Sequence, residues 1–301
     1  MSRLNLILFV ALLAQVGLAI TLQRAAQNAA NGNAPPPLFD FEPNAVSDIH
    51  ITDTQGNETV LLRLGSRWTL PELEDLPADG VRINRLLAAI TRGETGWPVA
   101  DTVAARQRFQ VAGYHYRRRI IMAGESELLG TVYLGTSPGF RQVHARNDAA
   151  DSIYSLRLNT FEIPAQSEDW LDRRLLQVRA PVSITADGYR LTREGDSWRS
   201  ASGAVPDSRE VSALLEALRT LQVTALADQD MQRELADLDP ELVLDISGLG
   251  GDIRLELFVY ADRHYIYSDE YALFFSLGDL EFDRLSSLDA RLLQGTMSGS
   301  L

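Results

Sequence analysis

The sequence contains no cysteine and no lysine. Without cysteine, the chain cannot form disulfides, thiolate metal sites, cysteine nucleophiles or a lipidated N-terminal cysteine. Without lysine, Schiff-base chemistry on a lysine amine is excluded. All 28 basic residues are arginine and face 41 acidic residues, and the resulting net charge of −13 argues against general nucleic-acid binding.

Histidine is also scarce, and its positions do not form a metal-binding pattern. The four histidines are His50, His115, His144 and His264. They fall on different predicted elements and lack the spacing of known metal motifs. The glycine-rich stretch 248–252 joins two predicted strands instead of opening a helix, which is typical of a hairpin turn. We therefore expect a non-enzymatic protein without a cofactor, a metal or catalytic residues.

One long uncharged stretch stands at the N-terminus, over residues 4–22. As a helix it would be about 28 Å long, close to the thickness of a membrane's hydrocarbon core. We predict an uncleaved single-pass anchor with a cytoplasmic N-terminus, since Arg3 precedes it. The alternative is a signal peptide with its cleavage site at residues 17–19. Residues 23–37 are small, polar and proline-rich, which predicts a flexible linker to an exported body.

The body contains an internal repetition. The hexapeptide LDRRLL at residues 171–176 returns as LDARLL at residues 288–293, with one difference in six positions. Earlier features recur in the same order. Short predicted strands open each half, and Trp68 and Trp198 follow them at corresponding places.

Each half next predicts one amphipathic helix and then a hairpin. The helix positions at i, i+3, i+4 and i+7 are Ile83, Leu86, Leu87 and Ile90 in the first half and Val211, Leu214, Leu215 and Leu218 in the second. Asp207 suits a helix cap. The hairpin strands are predicted at 117–123 and 128–135 in the first half, and at 242–247 and 252–260 in the second.

These patterns predict an α+β fold: two tandem repeated units of antiparallel sheet plus helices, preceded by one N-terminal transmembrane helix. The alternative is that two meanders of similar composition coincide by chance. The predicted boundaries are 1–22 for the anchor, 23–37 for the linker, 38–176 for the first repeat, 177–295 for the second repeat and 296–301 for a tail.

The first half has a longer loop than the second, at residues 135–143 against 261–265. Ser-Pro-Gly is turn chemistry, but the phenylalanine that follows is not needed by a turn. Either the loop contacts a partner protein, or its phenylalanine folds back onto the sheet. The predicted partner-binding residues are Ser137, Pro138, Gly139, Phe140, Arg141 and His144.

Two further segments allow predictions. Residues 167–176 join the halves, and Trp170, Leu171 and Leu175 are predicted to pack the two repeats together. The basic, aromatic stretch YHYRRR at residues 114–119 predicts an edge strand protected by charge. The alternative is contact with phospholipid headgroups or with a partner.

Four stretches resemble the bacterial domain-of-unknown-function 4340 family. They are residues 38–52, 67–90, 132–146 and 168–176. The resemblance implies a periplasmic body behind an inner-membrane segment. It also implies an auxiliary role in an uncharacterised ABC transport system linked with gliding motility. The implied partners are an ABC permease and a related extracytoplasmic subunit, and the resemblance transfers no catalytic residues.

Two other functions remain open from the residues alone. One is an extracytoplasmic ligand- or glycan-binding module with a cleft between the repeats. The other is a cell-wall hydrolase that uses paired carboxylates, although nothing in the sequence singles out such a pair.

Overall fold

The computed structural model describes residues 37–92 and 95–295, together with Gln15. The predicted anchor, linker and tail lie outside the described residues, except for Gln15 and Pro37. No helix among the described residues has both the length and the apolar character that a membrane crossing requires.

The chain forms two compact units. The first contains residues 37–63 and 81–165, and the second contains residues 64–80 and 166–295. The division therefore does not follow a single cut in the chain, because a short early segment belongs to the second unit.

The described residues are rich in strands. In chain order these are β1 (Asp48–Asp53), β2 (Glu58–Leu64), β3 (Arg67–Leu70), β4 (Leu76–Pro77), β5 (Val111–Ala112), β6 (His115–Tyr116), β7 (Arg118–Ala123), β8 (Leu128–Leu134), β9 (Val143–Asn147), β10 (Tyr154–Leu156), β11 (Pro181–Ala186), β12 (Tyr189–Glu194), β13 (Ser197–Ser200), β14 (Val223–Leu226), β15 (Leu242–Gly248), β16 (Gly251–Tyr260), β17 (Arg263–Ser268) and β18 (Leu273–Leu277).

The helices are fewer and mostly short. They are α1 (Gly80–Thr91), α2 (Val103–Arg108), α3 (Ser208–Thr220), α4 (Gln229–Ala236), α5 (Asp279–Ser286) and α6 (Ala290–Gln294). Short 3-10 turns occupy Pro43–Ala45, Pro71–Leu73, Thr160–Glu162 and Ser167–Trp170.

Strand order is the same over six strands of each unit. In the first unit the antiparallel order is β2-β1-β7-β8-β9-β10. In the second unit it is β12-β11-β15-β16-β17-β18, with β13 beyond β12 and β14 beyond β18. The prediction of an α+β fold built on antiparallel sheets is confirmed, with two large sheets.

The interior of the first unit follows from strand alternation. Ile49 and Ile51 point to the same face of β1 and are fully buried. Their cross-strand partners on β7 are Met122 and Ile120, which are fully buried as well. Such directly opposed apolar pairs stabilise both the sheet and its register.

The charged stretch before residue 120 is not at an edge. β7 pairs with β1 on one side and with β8 on the other, so the predicted edge position is wrong for Arg118 and Arg119. His115 and Tyr116 form β6, which pairs with β5 in a separate two-stranded sheet. One of the arginines of β7, Arg118, instead donates from Nε to the carbonyl of Ile163 at 2.7 Å. Arg119 on the same strand donates to the Thr52 hydroxyl, and Arg117, just before the strand, donates to the Gln110 side chain.

In the second unit, α4 is fixed to its sheet by one amide. The Gln232 side chain donates to the Phe274 carbonyl at 2.8 Å and accepts from the Phe274 N–H at 2.9 Å. Beneath it, Leu235 is fully buried in an aromatic cluster with Phe258 and Tyr265. A side-chain amide thus supplies the bonds that a further strand would supply.

The two predicted amphipathic helices are confirmed as α1 and α3. Their predicted apolar positions are all buried except Leu215, which is half-buried. The predicted cap on α3 is also confirmed, because Asp207 Oδ1 accepts from the backbone N–H groups of Arg209 and Glu210.

The two hexapeptides use their aspartate in the same way. The carboxylates of Asp172 and Asp289 each accept from the backbone N–H of the arginine two residues later, at 3.1 and 2.8 Å. The last leucines, Leu176 and Leu293, are both buried. The first copy forms a turn and the second forms α6, so the local bonds match although the backbone shapes differ.

Candidate partner-binding loop

The loop that joins β8 to β9, residues 135–142, carries an exposed aromatic tip. Phe140 is 88% exposed. The Arg141 guanidinium carbon lies 5.2 Å from the centre of that ring, at cation–π distance. The ring does not fold back onto the sheet, so that alternative is wrong, while partner binding stays a prediction.

The turn below the tip is held by one hydroxyl. Ser137 Oγ lies 2.6 Å from the Gly139 carbonyl and 2.7 Å from the Gln142 carbonyl. The backbone N–H of Gln142 also donates to the Gly139 carbonyl, at 3.3 Å. Arg141 adopts φ 52°, a left-handed conformation that is costly for a residue with a Cβ. These bonds hold the tip backbone in a defined shape.

The base of the loop lies directly against another backbone segment. A Cβ on Gly135 would stand 1.9 Å from the Phe109 carbonyl oxygen, so only glycine fits at this position. The same carbonyl accepts from the Thr136 N–H at 2.9 Å, and His144 N–H donates to the Thr136 carbonyl at 2.9 Å. The loop is therefore bonded on both sides where it leaves the sheet.

His144 lies beneath the loop, where it is only 5% exposed. Its ring stacks on Phe109 with the ring centres 4.1 Å apart, and Nδ1 lies 2.9 Å from the Thr136 carbonyl. Burial lowers the pKa of His144 from 6.5; the charge of Arg108 acts in the same direction, while the bond to Thr136 opposes it. A neutral imidazole that donates from Nδ1 suits this setting.

Arg146 fixes the far end of β9. It is 4% exposed and donates from Nε to the Val111 carbonyl at 2.8 Å. Its Nη1 donates to the carbonyls of Asn147, Asp148 and Ala150 at 3.1, 3.2 and 2.9 Å. The Arg146 guanidinium therefore connects β5 to the turn after β9, and its role is structural. Arg141, five residues earlier, is exposed instead.

The predicted packing residues all lie in the second unit. Trp170 and Leu171 are buried, and Leu175 is half-buried. Leu171 forms an isolated bridge with Ala78 of the same unit. Whether these side chains pack one repeat on the other stays a prediction.

Two of the other histidines, His50 and His264, have acidic neighbours. His50 contacts Asp48 and Glu58 at 3.2 and 3.0 Å, and His264 Nδ1 lies 2.9 Å from Asp279. Across residues 37–92 and 95–295, no group of three or more histidine, aspartate or glutamate side chains is placed to hold a metal ion.

Sequence reasoning found the tip of the loop but missed what supports it. Phe109, with Arg108 beside its ring, meets Gly135 and His144 from a segment about 25 residues or more earlier in the chain. The steric need for glycine at residue 135 leaves no mark in a single sequence. The two arginines at residues 106 and 108 gave no hint that Arg108 stacks on Phe109, at 4.5 Å from its centre.

The fold and the loop define an α+β protein with two antiparallel sheets and an exposed, fixed contact loop. Residues 68–240 match the family described as "Domain of unknown function (DUF4340)", and this chain belongs to that family. The match includes the loop and the first hexapeptide. The comparisons with curated proteins and with solved structures find no match for this chain.

Proposed function

We propose that this protein is a membrane-anchored, periplasmic, non-enzymatic accessory subunit of an ABC transport system of the gliding-motility type. Its partners would be the ABC permease and a related extracytoplasmic subunit. The observation that carries the proposal is the exposed Phe140 tip on a hydrogen-bonded base.

The chemistry of the tip supports protein recognition. Aromatic and arginine side chains are enriched at protein interfaces, where a few of them supply most of the binding energy. Phe140 and Arg141 are adjacent, and the Arg141 guanidinium carbon lies 5.2 Å from the centre of the Phe140 ring. A contact of this kind would bury an apolar ring and place a cation at its rim.

The fixed base supports the same proposal. Ordering a loop on binding costs free energy, and a loop that is already ordered avoids much of that cost. Ser137 bonds the turn across its neck, and Thr136 bonds its base to Phe109. The loop therefore resembles a preformed contact surface more than a spacer.

We also propose that the two halves arose by duplication of one sheet-and-helix unit. The shared order of six strands and the equivalent bonds of Asp172 and Asp289 support this. Trp68 and Trp198 each stand second in their strand, β3 and β13. The longer loop then distinguishes the first half as the one adapted to a partner.

The test compares two exposed phenylalanines of the first unit. Full-length protein is purified from native membranes in mild detergent, and co-purifying proteins are quantified by mass spectrometry. We expect an ABC permease with the wild type, and a loss of about tenfold or more with Phe140→Ala. The control, Phe161→Ala, removes a ring that is 90% exposed and should retain the permease.

Two results would contradict the proposal. One is recovery of the wild-type chain alone from membranes that contain the transport system. The other is equal permease recovery with Phe140→Ala and with the wild type. Thermal melts of both variants exclude misfolding as the cause of a loss.

A further inference from the structure

The second unit contains an open groove with a volume of about 670 Å³. It lies between α3 and the strands β11 to β13, and this volume is in the range of small-molecule sites. The residues that matter most here are Arg179, Arg193, Trp198, Pro206, Leu215 and Arg219. The groove belongs wholly to the second unit and is separate from the loop at residues 135–142.

The groove contains a partly exposed tryptophan. Trp198 on β13 is half-buried and lines the groove, whereas Trp68, at the corresponding place in the first half, is only 3% exposed. An indole face is electron-rich, and the C–H face of a sugar ring is complementary to it. The tryptophan of the second half is thus accessible from a groove, whereas its counterpart in the first half is buried.

Two arginines of the groove have donors to spare. Arg193 Nε donates to the Gly195 carbonyl at 3.0 Å, and Arg179 Nη2 donates to the Gln177 side chain at 3.3 Å. Neither forms an ion pair with another part of the chain that the structure describes. Because each guanidinium bonds only to a neutral oxygen, its positive charge and its remaining N–H donors are available to bind a carboxylate. Arg219 differs, because it pairs with Glu216.

The remaining polar lining suits hydroxyl groups. The Ser208 hydroxyl can donate and accept, whereas the hydroxyls of Ser197 and Ser212 already donate to the carbonyls of Glu194 and Ser208 and can accept from a ligand. Asp196 and Glu216 can only accept when ionised. Sugar hydroxyls can donate to these carboxylates. These groups suit a ligand that carries hydroxyls beside its charge, which an acidic peptide side chain does not.

From this combination we propose that the groove binds an acidic glycan. A sugar ring would stack on Trp198, its carboxylate would bond to Arg179 and Arg193, and its hydroxyls would bond to the serines and to Asp196. The chemistry required is that of a uronic acid unit. This inference concerns the second unit and does not rest on the proposed transport role.

The test titrates the full-length protein in detergent with tetragalacturonic acid by isothermal titration calorimetry. Neutral maltotetraose and tetraglutamate serve as comparison probes. We expect saturable binding of the acidic sugar, with the neutral sugar weaker by about tenfold or more because it lacks the charge-assisted bonds. Arg193→Gln should weaken acidic-sugar binding by about tenfold, and Trp198→Ala by about threefold to tenfold.

Arg209→Gln is the matched control, since Arg209 is exposed on α3 but does not line the groove. It should leave binding unchanged. No heat of binding at millimolar tetragalacturonic acid would overturn the proposal, as would equal binding of maltotetraose. Tighter binding of tetraglutamate would assign the groove to an acidic peptide instead. Should Trp198→Ala fail to fold, Arg193→Gln still decides, because its side chain is exposed.

Discussion

Replacing Arg146 with methionine tests how the far end of β9 is stabilised. Methionine keeps the length and apolar body of the side chain but removes the guanidinium. Four backbone carbonyls then lose a charged donor, among them that of Val111, a fully buried residue. Leaving buried acceptors without a partner is more costly than the net value of the bonds that are lost.

The size of the destabilisation depends on which of the four carbonyls stay buried once the guanidinium is removed. A hydrogen bond to a charged group is worth about 1.5–3 kcal/mol, and bonds that share one cation are not additive. The ion pair to Asp148 adds little, because its Oδ1 is 3.6 Å away and that side chain is 59% exposed. We expect Arg146→Met to lower the free energy of unfolding by about 2–4 kcal/mol, and Asp148→Asn to lower it by less than about 1 kcal/mol.

Urea unfolding monitored by hydrogen–deuterium exchange separates the two units. Peptides from β8 and β9 report on the first unit, and peptides from β16 serve as an internal reference. Arg141→Met is the control, since it removes an exposed arginine from the loop that precedes β9. A loss below about 1 kcal/mol for Arg146→Met would refute the reasoning, as would an equal loss for Asp148→Asn.

Three more predictions concern the loop and one helix. Gly135→Ala should lower the melting temperature by an amount equivalent to about 1–3 kcal/mol, whereas Gly139→Ala, with no atom within 4 Å of the new Cβ, should be nearly neutral. Because burial lowers the pKa of His144, the unfolded chain takes up a proton before the folded one does. Melting temperatures measured from about pH 7.5 to 5.5 should therefore fall below pH 6.5, and less steeply in His144→Gln. Asp207→Ala removes two cap bonds of α3 and should cost about 1 kcal/mol in thermal unfolding followed by circular dichroism; no change there would show that the cap is redundant.

The elements that sequence reasoning predicted well are those with a local signal. The spacing of Ile83, Leu86, Leu87 and Ile90 is a property of one helix, and it was sufficient to predict α1. The hairpin strands predicted at 117–123 and 128–135 lie within one residue of β7 and β8. Turn residues and strand composition are likewise read within a few positions.

What could not be predicted depends on partners far away in the chain. The position of β7 inside its sheet requires β1, about 70 residues earlier, and the arginines at its start gave the opposite impression. The sequence suggested His144 as a surface residue of the loop, but Phe109 covers it. Arg141 and Arg146 are only five positions apart, yet only the buried Arg146 bonds to a distant carbonyl, that of Val111.

The groove of the second unit was missed for a related reason. Trp198 was recognised only as the counterpart of Trp68, and its place in the sequence does not say whether its ring is buried. The two rings differ in the structure, because Trp68 is nearly inaccessible to solvent and Trp198 lines the open groove. Arg179 and Arg219 approach it from a loop and from the end of α3, a proximity that no sequence spacing reveals.

Photo-crosslinking in intact cells tests most directly whether the chain acts through a partner at this loop. A photoreactive amino acid is placed at residue 140 in the full-length protein, and at residue 161 as the control. We expect residue 140 to crosslink to an ABC permease or to a related extracytoplasmic subunit, identified by mass spectrometry, while residue 161 does not. The absence of any product at residue 140, or identical products at both positions, would contradict the account.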